Sequence, residues 1–230
     1  MVEGVRLIED GIRAGCKPAL VFWNAKQEPS QREERLLRQL LAIGVEVHPV
    51  GPHIIKLLSD TVTPQGILAV FPFVERAPAR RELVLILDGV QDPGNFGALL
   101  RSAEAAGVDQ VILAPGTVDV FNPKVVRAGG GAHFRLPLSQ LSWPEIAATV
   151  QEHVVRLADA TGPLVYYAVD WCQPAALIVS NEGAGPSAEA SQLATERIAI
   201  PMQGGVESLN VGVAGSIILF EAVRQRAQRQ

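Results

Sequence analysis

Leu83-Val-Leu-Ile-Leu87, followed by Asp88-Gly-Val-Gln-Asp-Pro-Gly-Asn-Phe-Gly97, is the stretch on which the fold turns. An unbroken apolar run suits a central parallel strand buried on both faces, because a half-exposed strand would alternate. The loop behind it gives way to a helix over roughly 96–106. There Phe96, Leu99, Leu100 and Ala103 line one face and Gly107 ends it. Strand, loop and helix in that order open a parallel crossover unit.

The same rhythm continues downstream. Strands are expected at 110–113, 154–158, 176–179 and 198–200, and helices at 123–128, at 144–152 behind a Ser142 cap, and at 210–226. Val213, Ala214, Ile217 and Phe220 are expected on the buried face of that last helix. Repeated strand–helix alternation implies an α/β parallel sheet covered on both sides. Upstream, residues 1–72 read as a smaller α/β layer unit. Strands are expected at 18–23, 45–50 and 66–71, with a short helix at 53–58. A capping box, Ser30-Gln-Arg-Glu33, precedes a helix whose apolar face is Leu36, Leu37, Leu40 and Leu41, ended by Gly44. Pro72 to Arg81 breaks the pattern with two prolines and several charges, so 73–82 is expected to be a linker and 83–230 the main domain.

Composition excludes several classes. Of 230 residues, 48% are hydrophobic and 19% charged, enough for a packed core and unlike a disordered chain. Cys16 and Cys172 are the only cysteines and lack partners at metal-ligand spacing, which argues against a disulfide framework or zinc site and for reduced thiols. Charge, Gly or Pro interrupts every apolar run, and the first residues lack a signal-peptide core, so a cytoplasmic protein without a membrane span is expected. Net charge is −4. Residues 1–80 carry 10 basic and 9 acidic side chains and 81–230 carry 10 and 15, so the front segment is the better candidate for a polyanion. Arg6, Arg13, Lys17, Lys26, Arg32, Arg35 and Arg38 are the basic side chains that would meet such a polyanion, with affinity falling as salt rises.

Ligands of open α/β sheets bind beyond the carboxyl ends of strands, and three polar or glycine-bearing turns follow expected strands. The first, 88–97, fails as a dinucleotide loop. Gly89, Gly94 and Gly97 do not give G-x-G-x-x-G, and Asp92 would repel a pyrophosphate. Arg101 in the following helix lies about 140° from Phe96, away from the buried stripe, as a solvated Arg or surface ion pair would. The second turn, Ser180-Asn-Glu-Gly183, places the carboxylate of Glu182 at a strand end. The third, Ile200-Pro-Met-Gln-Gly-Gly-Val-Glu-Ser-Leu-Asn210, offers backbone groups to a flat polar ligand, and Ser208 and Asn210 suit a helix start. His133 and Arg135 are weighed as ligand contacts or structural groups, His48 and His53 as turn residues. Trp23, Trp143 and Trp171 are too dispersed for a base-stacking platform.

DGVQDPGNFGALLRSAEAAGV, FNPKVVRAGGGAHF, VSNEGAGPS and IPMQGGVESLNVGVAGSIILFEAVRQR together resemble the SpoU (TrmH-like) branch of the SPOUT RNA methyltransferases, over about residues 83–228. The opening VEGVRLIEDGIRAG resembles the ribosomal-protein-like RNA-binding domain that often precedes that catalytic domain. It begins abruptly, so an N-terminal helix usual in the family is expected to be missing.

The resemblance implies a deep trefoil knot, a homodimer with shared sites, and S-adenosylmethionine as donor of a methyl group to a ribose 2′-hydroxyl. Ribosomal RNA is the first expected substrate and transfer RNA the alternative. A ribosome-assembly protein of the same fold without catalysis is a further alternative. By position, the resemblance puts Ser180, Glu182, Gly183, Ile200, Met202 and Leu209 around the cofactor. It makes Asn95, Arg101, Glu182, Ser208 and Asn210 the catalytic set. One departure stands out: the family usually has Gly where this chain has Ser180, whose side chain either crowds the methionine moiety or simply adds a hydroxyl. No metal is implied.

Overall fold

The computed structural model describes residues 1–181, 183–204 and 207–229. Contacts divide the chain into two units, Met1–Val74 and Glu75–Gln230.

The front unit runs β1 (Val2–Glu3), α1 (Val5–Arg13), β2 (Leu20–Asn24), α2 (Gln31–Ala42), β3 (Glu46–Val50), α3 (Pro52–Leu58) and β4 (Ile67–Val70). Its sheet has the order β1-β4-β2-β3. β2 pairs parallel with β3, and β4 is antiparallel to both β1 and β2. The capping box forms as expected: Glu33 N–H donates to Ser30 Oγ at 3.3 Å and Ser30 N–H to Glu33 Oε2 at 2.7 Å. Leu36 and Leu40 are buried, but Leu41 is 61% exposed. Leu41 lies about 140° around the helix from Leu36, so it faces water where the expected apolar face included it. His48 and His53 lie within β3 and α3 rather than in turns.

The main unit is a seven-stranded, wholly parallel sheet of order β7-β6-β5-β10-β8-β11-β9. Its strands are β5 (Leu83–Asp88), β6 (Gln110–Leu113), β7 (Leu138–Gln140), β8 (Val154–Ala158), β9 (Leu164–Val165), β10 (Ala175–Ser180) and β11 (Glu196–Ala199). Between them lie α4 (Pro93–Ala105), α5 (Pro123–Ala128), α6 (Trp143–Thr149), α7 (Ala188–Leu193) and α8 (Val211–Ala227). β7, β9 and α7 are short and carry little sequence signal. Every residue of β5 is buried. Leu83, Leu85 and Leu87 pack with α4, α5 and α8, and Val84 and Ile86 pack with Ile146 of α6 and Ala190 of α7. Each such side chain contributes about 1.5–3 kcal/mol on burial.

α4 begins three residues before the expected start. Asp92 caps it, accepting Asn95 N–H at 2.7 Å, with Pro93 at the first helical position.

The expected buried face of α8 is corrected. Val213 and Phe220 are 47% and 48% exposed, whereas Val211, Gly212, Gly215, Ile218, Leu219 and Ala222 are buried. α8 approaches α4 so closely that a Cβ on Gly215 would lie 2.4 Å from Leu99 Cδ2. Gly212 and Gly215 mark the packed side together with Ile218 and Leu219, while Val213 and Phe220 face outward. A second close approach occurs at Gly97 of α4, where a Cβ would meet Ala128 Cβ at 2.3 Å.

Candidate functional site

The carboxyl ends of β8, β10 and β11 open onto one cleft of about 240 Å³. Strand order makes this position. β8, β10 and β11 lie side by side, so the segments that leave them converge. Val179, Ile198, Ile200, Val211, Ala214 and Ile218 form an apolar wall. Asp159, Ser180, Asn181 and Ser208 supply polar groups.

Of the residues expected around the cofactor, Ser180, Ile200, Met202 and Leu209 line this cleft. Gly183 belongs to the same loop but not to the lining. Its N–H donates to Asn181 Oδ1 at 2.9 Å. Glu182 lies outside the described residues. Ser180 donates its hydroxyl to Asp88 Oδ2 at 2.9 Å, and Ser187 N–H reaches the same oxygen at 2.8 Å. The buried Asp88 carboxylate therefore fastens both ends of the 180–187 loop to the end of β5. Asn181 adds two bonds, from its N–H to Asp88 O at 3.1 Å and from Nδ2 to Gly89 O at 3.1 Å.

The expected catalytic residues are brought together in part. Asn210 caps α8, accepting Val213 N–H at 3.2 Å, and donates Nδ2–H to Asn95 Oδ1 at 2.8 Å. Ser208 lines the cleft. Arg101 is exposed on α4, as its angular position required. It makes no hydrogen bond or ion pair among the described residues, and its stem passes over Gly130, where a Cβ would lie 3.4 Å from Arg101 Cδ.

The glycine turn beside Arg101 is braced from below. His133 is buried and its Nε2–H donates to Val120 O at 2.8 Å, since a carbonyl only accepts. Nδ1 is buried without a partner among the described residues. Burial holds the His133 pKa below the ordinary imidazole value, with the Val120 bond opposing it. Arg135 pairs with Glu104 of α4.

In the front unit Arg32 forms a two-pronged pair with Glu9, 2.5 Å at the shortest, and that hydrogen bond holds the Glu9 carboxyl below the usual range. Arg13 and Arg38 face Asp10 and Glu34 at 3.7 and 3.8 Å. Arg6, Lys17 and Lys26 are exposed and make no ion pair among the described residues. The sequence reading missed Asp159 and Asn181. Asn181 sits between two recognised motif residues, while Asp159 lies in a segment without motif or glycine signature.

Fold and cleft together define a parallel-sheet α/β protein with a part-apolar, part-polar cleft at its carboxyl edge. Residues 82–220 match the SpoU rRNA Methylase family, and residues 1–77 match the family described as RNA 2'-O ribose methyltransferase substrate binding. The chain belongs to the SpoU rRNA Methylase family. It is 32% identical over 222 residues to the 23S rRNA (guanosine(2553)-2'-O)-methyltransferase RlmP of Bacillus subtilis, covering 96% of this chain and 86% of that protein. It is 36% identical to the mitochondrial rRNA methyltransferase 3A of Danio rerio, over 98% of this chain but only 63% of that protein's length. The crystal structure of the SpoU methyltransferase AviRb from Streptomyces viridochromogenes with AdoMet superposes with a TM-score of 0.90, at 30% identity, covering 98% of this chain and 89% of that one.

No helix among the described residues is long and apolar enough to cross a membrane.

Proposed function

We propose that this chain methylates a ribose 2′-hydroxyl of ribosomal RNA with S-adenosylmethionine, acting as a cytoplasmic homodimer. In this reading residues 1–72 recognise RNA, 73–82 link, and 83–230 form the catalytic domain with the family's trefoil knot. The observation that carries it is the cleft. Ser180, Ile200, Met202, Ser208 and Leu209, drawn from the second and third motif loops, line a single space beyond the sheet.

The lining fits the cofactor's chemistry: an apolar wall for the purine and thioether chain, and hydroxyl and amide groups for its polar parts. When bound, S-adenosylmethionine supplies an electrophilic methyl group on a sulfonium. Transfer of that methyl to the hydroxyl oxygen would leave S-adenosylhomocysteine as the thioether product, with the hydroxyl proton passing to water. The chain's task is alignment, which contributes as much as about 7–11 kcal/mol in favourable cases. Arg101 grips the phosphate of the target nucleotide with its two-pronged guanidinium and favours developing negative charge on oxygen. A guanidinium stays protonated at neutral pH, so Arg101 is not the base. Asn95 and Asn210, joined to each other, orient the ribose and Arg101. Ser208 buttresses the third loop, and Glu182 fixes Arg101 or the substrate. Ser180 adds to the lining a hydroxyl that Asp88 holds.

Homodimer formation is supported by the outward apolar stripe of α8, Val213 and Phe220 with half-buried Ile217 between them. The test is incubation with methyl-labelled S-adenosylmethionine and unmodified ribosomal or transfer RNA, followed by nucleoside analysis. A single 2′-O-methylated nucleoside from ribosomal RNA is expected. Label in transfer RNA alone would move the substrate class. Cofactor binding without methylation of any RNA would assign the chain to RNA binding or ribosome assembly.

A further inference from the structure

Asp159 is the one ionisable side chain among the described residues lining the cleft, and it lies outside all three motif loops. It directly follows β8, in a turn pinned onto β11. Asp159 N–H donates to Ile198 O at 2.9 Å, and Gly162 N–H returns to Asp159 O at 2.9 Å. Gly162 sits so tightly there that a Cβ would come within 2.9 Å of backbone atoms of Arg197 and Ile198.

The carboxylate is held as firmly as the backbone. Oδ1 accepts Thr161 N–H and Thr161 Oγ–H at 2.8 Å each, and Oδ2 accepts Arg197 Nη1 at 3.0 Å. Burial opposes ionisation, but the Thr161 bonds and Arg197 outweigh it and keep the group below the usual carboxylate range. An ionised carboxylate offers about four acceptor positions, and these bonds use three. The remaining one is on Oδ2. Arg197 already neutralises the charge and would repel a second cation, so the open position suits a neutral O–H donor.

We propose that Asp159 Oδ2 accepts a hydrogen bond from a ribose hydroxyl of the bound S-adenosyl cofactor. Asp159 thereby selects a nucleoside with its diol intact and sets the depth at which the nucleoside sits. This rests on the reading of the cleft as the cofactor site.

The experiment is calorimetric titration of S-adenosylhomocysteine and its 2′,3′-dideoxy counterpart into wild type, Asp159→Ala and Asp159→Asn. The Asn variant keeps one oxygen for Thr161 while replacing Oδ2 by a donor, so the turn survives. Loss of the hydroxyls is expected to weaken wild-type binding about tenfold or more, as for a hydrogen bond to a charged group. Asp159→Ala is expected to bind the two ligands with nearly equal affinity, and Asp159→Asn, whose Nδ2 donates but cannot accept, to show a smaller dideoxy penalty than wild type. An equal dideoxy penalty in wild type and variants would reduce Asp159 to a brace for the turn and overturn the proposal. So would wild-type binding with no penalty. Wild type that bound neither ligand would instead overturn the cofactor assignment itself.

Discussion

Asn210 donates to Asn95 across 2.8 Å while its own Oδ1 receives Val213 N–H and starts α8. One side chain thus joins the first and third motifs and sets the end of the helix that packs on α4. Asn95 in turn is fixed through its N–H by Asp92.

The two asparagines should separate on substitution. Asn210→Ala removes both a helix cap and the inter-motif bond, so it should lower unfolding stability by about 1 kcal/mol and slow methyl transfer. Asn95→Ala leaves the cap intact and should slow transfer with little change in Tm. Thermal melts and single-turnover methylation check the pair. Full turnover by Asn95→Ala would remove the asparagine bond from the catalytic account.

Arg101 should act on rate and RNA, not on cofactor. Arg101→Ala should lower kcat about a hundredfold or more, on the scale of losing a transition-state donor, with the Kd for S-adenosylhomocysteine unchanged. Arg101→Lys should recover only part, because a point charge lacks the planar fork. Parallel calorimetry and turnover measurements decide this. A large rise in cofactor Kd would place Arg101 in the cleft instead.

His133 predicts a pH dependence of stability. Its folded pKa lies below the unfolded value near 6.5 because burial disfavours the imidazolium. Below about pH 6.5 the unfolded chain takes up a proton that the folded chain resists, so stability falls as pH drops. Above that value His133 contributes no slope. Denaturant unfolding between pH 7.5 and 5 should show the decline, and His133→Asn should flatten it. An unchanged slope in the variant would assign the decline to other groups.

Phe220→Glu should leave the fold intact, since the side chain is half exposed, and should shift the protein from dimer to monomer. Light scattering across concentrations measures this. A monomeric wild type would refute the dimer.

The sequence spoke clearly wherever an element has one dominant period. The apolar run of β5 and the Ser30–Glu33 box both appear where their patterns put them. It misled in α8, where Val213, Ala214, Ile217 and Phe220 were assigned to the buried face although Gly212 and Gly215 mark the packed side. Apolar bulk does not distinguish a core face from one left outward. Of the site, the loops were legible because glycine and proline punctuate them. Asp159 was not, because its position depends on β8 lying between β10 and β11, an order no local pattern encodes. Asp88 was hidden for the same reason: its partners, Ser180 and Ser187, lie 92 and 99 residues further along the chain.

That separation also dictates a sequence of assembly. β5 leaves the ribosome long before β10 exists, so its buried flank lacks its permanent neighbour while the intervening strands and helices are made. The cleft waits longer still, since its lining extends from Ala158 to Ile218. Pairing between such remote strands is intrinsically slow. A nascent molecule therefore has no finished cleft until the last helix has emerged, and a ribosome stalled before α8 would carry a chain whose cleft lacks one wall.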